Sequence, residues 1–278
     1  MEKIGIIVNQ KKKGAIELGE KLKEWLAKRD IPAKDSSSAS IEELIEGSTF
    51  LICLGGDGTI LSVVSRMKAR VVPILGVNFG KLGFLTEAKA DEVFEELNAY
   101  LHQKPLVDKR LMLSCTVKGK KNVQDRRFVA LNDIVISREG LARILQLDVI
   151  ISGEKFTSFR GDGLVIASPT GSTAYSLSAG GAVVHPKLEA LLITPICPHA
   201  LNLRALVIAA DEKITVRIRT EHPNEKALLT ADGQEKIEID DSYIVEVTRF
   251  HMPLTLVKST KRSYLETLRE NFKFPDFE

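Results

Sequence analysis

Gly55-Gly56-Asp57-Gly58-Thr59 sets one carboxylate among three glycines, directly after the uncharged run Phe50-Leu51-Ile52-Cys53-Leu54. Glycine at this density is entropically costly unless the chain must turn sharply or lie against a ligand. At the carboxyl end of a buried strand that ligand is most often an anion, held by backbone N–H groups and a helix start. Gly55, Gly56, Gly58 and Thr59 are therefore candidate phosphate contacts. Asp57 would repel a phosphate, so its side chain is read as holding a metal, accepting a proton or capping its own helix.

A second segment carries similar signals. Arg160-Gly161-Asp162-Gly163 interrupts a β pattern with glycines and a carboxylate that serve no evident sheet need. Leu164–Ala167 then leads into Ser168-Pro169-Thr170-Gly171-Ser172-Thr173. Hydroxyls so placed suit ribose and adenine edges, with Tyr175 as a flat face. The same residues equally suit a capping turn for a helix starting near Ala174. Asn132-Asp133 lies in the apolar stretch Phe128 to Ile136, where unpaired polar groups would be unfavourable in a dry core. Edge placement and ligand contact both explain the pair.

The elements that must position these residues follow from periodicity. Ile4–Val8 reads as a first buried strand, with Asn9, Gln10 and three lysines at its exit. Ile16, Leu18, Leu22, Trp25 and Leu26 give a covering helix within residues 14–29, and residues 41–47 a short one. The run 50–54 is a parallel strand covered on both faces, followed by a helix over 60–69. Residues 71–78 read as the next strand, leaving Asn78 and Phe79 at a glycine-rich exit, and 93–101 as a helix. Beyond Pro105 the pattern becomes β-branched and alternating: 110–118, 126–137, 145–151, 154–158, 206–209, 214–219, 227–230, 236–239 and 242–247. Short strands in this number predict an antiparallel sandwich. A last helix is expected over 264–272, with an aromatic tail through Phe274 and Phe277. The domains are expected at 1–104, 105–253 and 254–278, the last segment packing back on the first domain.

The 278 residues suit one large or two modest domains, at 44% hydrophobic and 27% charged. A net charge of +2 gives no case for nucleic-acid binding. The sequence shows no signal segment and no run of the roughly 20 apolar residues that cross a bilayer. Cys53, Cys115 and Cys197 are too far apart for a disulfide framework or zinc cluster, and the histidines form no close ligand pair. A cytoplasmic enzyme or binding protein is expected.

In combination these motifs resemble the NAD kinase family, over nearly the full length. The resemblance rests on Gly55-Gly56-Asp57-Gly58-Thr59, on Asn132-Asp133, and above all on Gly161-Asp162-Gly163-Leu164 running into residues 168–181. Pro195-Ile196-Cys197-Pro198-His199 and Asp232-Gly233-Gln234 follow in the expected order. The Gly-Gly-Asp-Gly core alone is shared with diacylglycerol and sphingosine kinases and relatives of phosphofructokinase. Asp133 departs from the commoner Asn-Glu pair.

The resemblance implies a Rossmann-like α/β domain, a β-rich sandwich-like domain, a homodimer or homotetramer, and an active site between domains that borrows residues across subunits. It implies phosphoryl transfer from ATP, or from another triphosphate or polyphosphate, to the 2′-hydroxyl on the adenosine ribose of NAD, with a divalent metal, magnesium by preference, of unidentified ligands. Asp57 would be the base or orienting group; an aspartate accepts an alcohol proton late, as the new oxygen–phosphorus bond forms. Asn132 and Asp133 would hold NAD, with Thr173, Ala174, Tyr175 and Ser178 around its adenylate end and Asp162 toward the nicotinamide of a neighbouring molecule. Asn78, Phe79 and Arg160 are further candidates. Asp232 is left out, because Asp-Gly is also a common hairpin turn. A lipid kinase, a non-catalytic nucleotide-binding module and an NADH kinase are the alternatives; no membrane or nucleic-acid partner is expected.

Overall fold

The computed structural model describes residues 2–103, 105–119, 124–138, 144–219, 226–259 and 261–273. In chain order its first elements are β1 (Ile4–Val8), α1 (Lys13–Ala27), β2 (Ala33–Asp35), α2 (Ile41–Gly47), β3 (Phe50–Leu54), α3 (Asp57–Val64), β4 (Ile74–Asn78), β5 (Ala88–Lys89), α4 (Val93–His102) and β6 (Val107–Arg110). The middle is nearly all strand: β7 (Leu113–Gly119), β8 (Arg126–Ala130), β9 (Asp133–Arg138), β10 (Leu145–Ile151), β11 (Glu154–Gly161) and β12 (Gly163–Ala167). A 3-10 turn (Thr170–Thr173) and the one-turn α5 (Tyr175–Ser178) follow. Then come β13 (Ala190–Ile196), β14 (Leu206–Ala209), β15 (Ile214–Arg219), β16 (Ala227–Ala231), β17 (Glu235–Ile239), β18 (Tyr243–Arg249), β19 (Leu254–Val257) and α6 (Tyr264–Phe272). Phe274 and Phe277 lie outside the described residues.

The chain forms two compact units, one of residues 1–109 with 254–278 and one of 110–253. In the first, a sheet runs β2-β1-β3-β4-β19-β6, with β5 beside β4. The β1–β3, β3–β4 and β4–β19 pairs are parallel. β3 and β4 are buried along their whole length, as uninterrupted apolar runs require. β4 begins at Ile74 rather than Val71, after Pro73, which has no N–H for the ladder. α1 turns Ala15, Leu18, Leu22 and Leu26 inward at helical spacing. A capping box from Ser40 and Glu43 starts α2, and one from Ser263 and Glu266 starts α6. α3 starts at Asp57 itself, three residues before the sequence pattern turns helical.

The second unit is two six-stranded sheets, β11-β10-β15-β18-β7-β8 and β14-β13-β12-β9-β16-β17, and every pairing within them is antiparallel. Cys115, Val149, Val216 and Val247 of the first sheet pack into one core with Ile136, Leu164, Leu191 and Leu229 of the second. The second sheet also buries its other face, where Val135, Val165 and Leu192 meet Val184. The α/β-plus-sandwich class read from the sequence is the observed one, with the C-terminal segment in the first unit.

Two stretches read as single strands each divide, and the helix expected over 60–69 ends at Val64. Residues 126–137 are not one strand: β8 and β9 belong to different sheets, and Leu131-Asn132 is the switch between them. Likewise residues 110–118 divide, Arg110 ending β6 and β7 starting at Leu113.

Candidate active site

In the first unit the ends of β1, β3 and β4 converge on the glycine motif. Gly55 N–H donates to the Val77 carbonyl at 2.9 Å, and Asn9 N–H to the Leu54 carbonyl at 3.0 Å. Asn9 Nδ2 donates to Thr59 Oγ1 at 3.3 Å. The glycines divide by task. A Cβ on Gly55 would lie 2.1 Å from Thr59 Oγ1, so Gly55 is required by packing. A Cβ on Gly56 or Gly58 would meet nothing within 4 Å. Open space thus fronts the backbone where α3 begins, and a helix start leaves its first N–H groups without intrahelical acceptors.

Asp57 does not cap its own helix. Its Oδ2 accepts from Phe84 N–H at 2.8 Å. Its Oδ1 accepts from Thr86 N–H at 3.1 Å, the Thr86 hydroxyl at 3.2 Å and Leu85 N–H at 3.3 Å. The carboxylate fastens the 83–86 loop to the start of α3. Asn78 completes this loop: its Nδ2 donates to the Lys81 carbonyl at 2.6 Å and to Thr86 Oγ1 at 3.3 Å, and its Oδ1 accepts from Phe79 N–H at 2.8 Å. The Asn78 amide is engaged within the loop. Phe79 is half-buried against the first core, its ring 3.3 Å from where a Gly14 Cβ would sit.

In the second unit the sheet switch at Leu131-Asn132 is held from both sides. Asp232 Oδ2 accepts from Leu131 N–H at 2.7 Å, and Oδ1 from Asn132 N–H at 2.7 Å and Asp133 N–H at 3.0 Å. Asp232 N–H returns a bond to the Asp133 carbonyl at 3.0 Å. On the other side Ser168 donates its N–H to the Asn132 carbonyl at 2.8 Å and its hydroxyl to the Leu131 carbonyl at 2.5 Å. Gly171 lies so close that a Cβ would be 2.1 Å from the Asn132 carbonyl oxygen. Burial pushes the Asp133 carboxyl up to about 7, with the charge of Asp232 adding to it. Burial also raises Asp232, to about 6, against the opposing pull of its three N–H donors.

The hydroxyls of residues 168–173 are largely engaged in the fold. Ser172 bridges Pro169 and Val184, and Thr173 donates to the Thr170 carbonyl at 3.2 Å. Among the described residues the buried Thr170 hydroxyl has no partner. Tyr175, 45% exposed, and Ser178 are one turn apart on the open side of α5. Asp162 pairs with Arg138 Nε at 3.0 Å. In the β9–β12 ladder Gly163 faces Ser137 and Ala167 faces Asp133, so Asp162 and Asp133 are at opposite ends. Arg160 is exposed near the end of β11, its carbonyl accepting from His199 N–H at 2.8 Å. The glycines around Asp162 do serve the sheet: a Cβ on Gly163 would be 2.2 Å from the Ile136 carbonyl oxygen, and one on Gly161 2.9 Å from that of Ile196.

Three motifs distant in sequence thus fold onto one turn: 131–133, 168–173 and Asp232. Sequence reasoning left Asp232 out as a hairpin residue. It is one, with φ of 50°, but its carboxylate is also the acceptor for that turn.

Residues 29–105 match the family described as ATP-NAD kinase N-terminal domain, and residues 131–259 that described as ATP-NAD kinase C-terminal domain. The NAD kinase of Geotalea daltonii is 38% identical over 285 residues, covering 99% of each chain. That of Geobacter metallireducens is 42% identical over 238 residues, covering 86% of this chain and 83% of the relative. Yeast NADH kinase, solved in complex with NADH, superposes with a TM-score of 0.88 at 25% identity, covering 100% of this chain and 89% of that one. An Archaeoglobus fulgidus NAD kinase solved with ATP gives 0.78 at 28% identity, with 98% of each chain covered. The chain therefore belongs to the NAD kinase family of enzymes.

Proposed function

We propose that the chain transfers the γ-phosphoryl group of ATP to the 2′-hydroxyl on the adenosine ribose of NAD, giving NADP. The observation that carries this reading is the locked turn at 131–133, a rigid polar site with the open Tyr175 and Ser178 face in the same unit. Asn132 and Asp133 hold the acceptor, and Thr170, Thr173, Ala174, Tyr175 and Ser178 its adenylate end. In the other unit Gly56, Gly58 and the start of α3 receive the donor phosphates, while Gly55, Thr59, Asn78 and Phe79 shape that loop. The ATP complex of the Archaeoglobus fulgidus relative supports ATP as donor. The NADH complex of the yeast relative supports NADH as a second acceptor, since the phosphorylated ribose is the same.

Phosphoryl transfer needs positioning and charge stabilisation more than covalent help. A carboxylate offers about four lone-pair sites, and Oδ1 of Asp57 meets three donors where Oδ2 meets one. Oδ2 is therefore the atom that orients the 2′-hydroxyl and takes its proton as the new oxygen–phosphorus bond forms and the bond to ADP breaks. Among the described residues no three His, Cys, Asp or Glu side chains gather into a metal cage. A divalent ion would arrive on the triphosphate. Among those residues no helix is long and apolar enough to cross a membrane. A homodimer or homotetramer working in the cytoplasm completes the reading. Purified protein incubated with magnesium, ATP or polyphosphate, and NAD, NADH or diacylglycerol tests it. NADP from ATP and NAD is expected; phosphorylated lipid in its place overturns it.

A further inference from the structure

We propose that near neutral pH Asp133 and Asp232 form a buried pair holding one proton, with Asp232 carrying the charge and Asp133 a neutral acid that donates a hydrogen bond to the acceptor nucleotide. The nucleotide part rests on reading 131–133 as the acceptor site.

The division of roles follows from partners. Asp232 is 8% exposed and both its oxygens accept backbone N–H groups. An ionised carboxylate only accepts, so these donors stabilise the charge there. Asp133 is 6% exposed, and among the described residues its carboxyl has no hydrogen-bond partner. It starts β9, beside Ala167 of β12, and the adjoining Ile134 faces Ala231 of β16.

Among the described residues no cation answers it. On β12 and its approach the nearest charge is Asp162, at the far ladder end and paired with Arg138. On β17, Glu235 and Lys236 sit opposite Ala231 and Thr230. On β8, Arg126 and Arg127 are exposed at the end remote from Ala130. Residues 168–173 bring only hydroxyls. Among the described residues the charge that acts on Asp133 is that of Asp232. Two adjacent carboxylates out of water do not both ionise. A dinucleotide's pyrophosphate adds negative charge and keeps the proton in place, so Asp133 meets a ligand oxygen as a donor.

Asp133→Asn keeps the shape and a donor but does not titrate; Asp133→Ala removes both. The first measurement is thermal melting without nucleotide from about pH 4.5 to 8.5. An acid whose folded pKa lies above its unfolded value of about 3.9 loses stabilising effect as pH rises between the two. The melting temperature of Asp133→Asn relative to the parent is expected to rise from about pH 4.5 to about pH 7 and then level. Asp232→Asn is expected to move that window downward by removing the neighbouring charge. A difference flat with pH, or a window unmoved in Asp232→Asn, overturns the pair.

The second measurement is NAD affinity by calorimetry. The parent is expected to weaken by about tenfold per pH unit above pH 7, as the acid is lost. Asp133→Asn is expected to stay flat and within about threefold of the parent at pH 6, and Asp133→Ala to bind at least about tenfold more weakly there. Asp133→Asn binding as weakly as Asp133→Ala overturns the donor role. If the parent binds no NAD at any pH, the substrate reading and the donor role both fall, while melting still decides the pair.

Discussion

The carboxylate of Asp57 fills the space that a side chain on Gly83 would need: a Cβ there would lie 2.2 Å from Oδ1 and 2.3 Å from Oδ2. The motif's one carboxylate and a glycine 26 positions later are thus two halves of one fastening. Asp57→Asn is expected to lower turnover at least about 100-fold. It is also expected to lower stability by about 1–3 kcal/mol, because an amide NH2 replaces one oxygen that accepts N–H groups. Gly83→Ala should lower the melting temperature too, by pushing the loop off the carboxylate. Thermal melting and steady-state kinetics on both variants check this. Unchanged melting in both would mean that the fastening has no energetic weight.

Gly56→Val should fold as the parent does, because Gly56 has φ of −91° and a Cβ there meets no atom within 4 Å. Its effect is expected on the donor: KM for ATP rises about tenfold or more as the side chain enters the phosphate space, with NAD affinity near that of the parent. Separate titrations with each nucleotide measure this. Equal weakening toward both would count against the donor assignment.

Asn132→Ala should raise the NAD requirement about tenfold with little change for ATP, since one polar contact in a buried site is worth roughly 1–3 kcal/mol. Gly171→Ala should produce a similar NAD defect without touching any ligand group, by displacing the Asn132 carbonyl that its Cβ would approach to 2.1 Å. Kinetics with each substrate varied separately, alongside melting curves, distinguishes a lost contact from a displaced turn. Parent-like NAD kinetics in both variants would remove this turn from the acceptor site.

A pH effect is expected at the other end of the chain. Hydrogen bonding to the Arg262 guanidinium holds the Glu92 carboxyl down to about 2, through contacts of 2.9 and 3.1 Å. A depressed carboxyl stabilises above its unfolded pKa, near 4.3, and that stabilisation is lost as pH falls toward the folded value. Glu92→Gln should therefore melt below the parent at neutral pH, with the gap closing between about pH 4.5 and pH 2. A gap that does not change over this range would show that the ion pair contributes nothing.

What the sequence reveals and hides has physical causes. The run from Phe50 to Leu54 ending in glycines was legible because a strand buried on both faces has no other composition, and Asp57 stood out against it. The break at Leu131-Asn132 was not legible: side-chain periodicity runs through a residue pair whether or not the next strand joins a different sheet. β13 was hidden by Pro195, which β12 tolerates because β14 pairs only with residues 190–193, leaving that side of Pro195 without a ladder partner. Asp232 was hidden because its acceptor role depends on N–H groups 99 to 101 residues away. A local turn signal carries no trace of such partners.

β19 lies between β4 and β6 in the first sheet, although residues 110–253 of the other unit separate it from them along the chain. During synthesis the polypeptide therefore emerges with its first domain unfinished. Until residue 257 has left the ribosome, β4 has only the two-residue β5 beside residues 77–78 on its outer edge and β6 lacks its neighbour, while the second domain is continuous and can close earlier. A nascent chain arrested after residue 109 is expected to be sticky and readily digested by protease, and one arrested after the second domain to be protected only within it. The last strand to be made completes the domain begun first, so a molecule cut short before residue 254 is marked for clearance by its own open sheet.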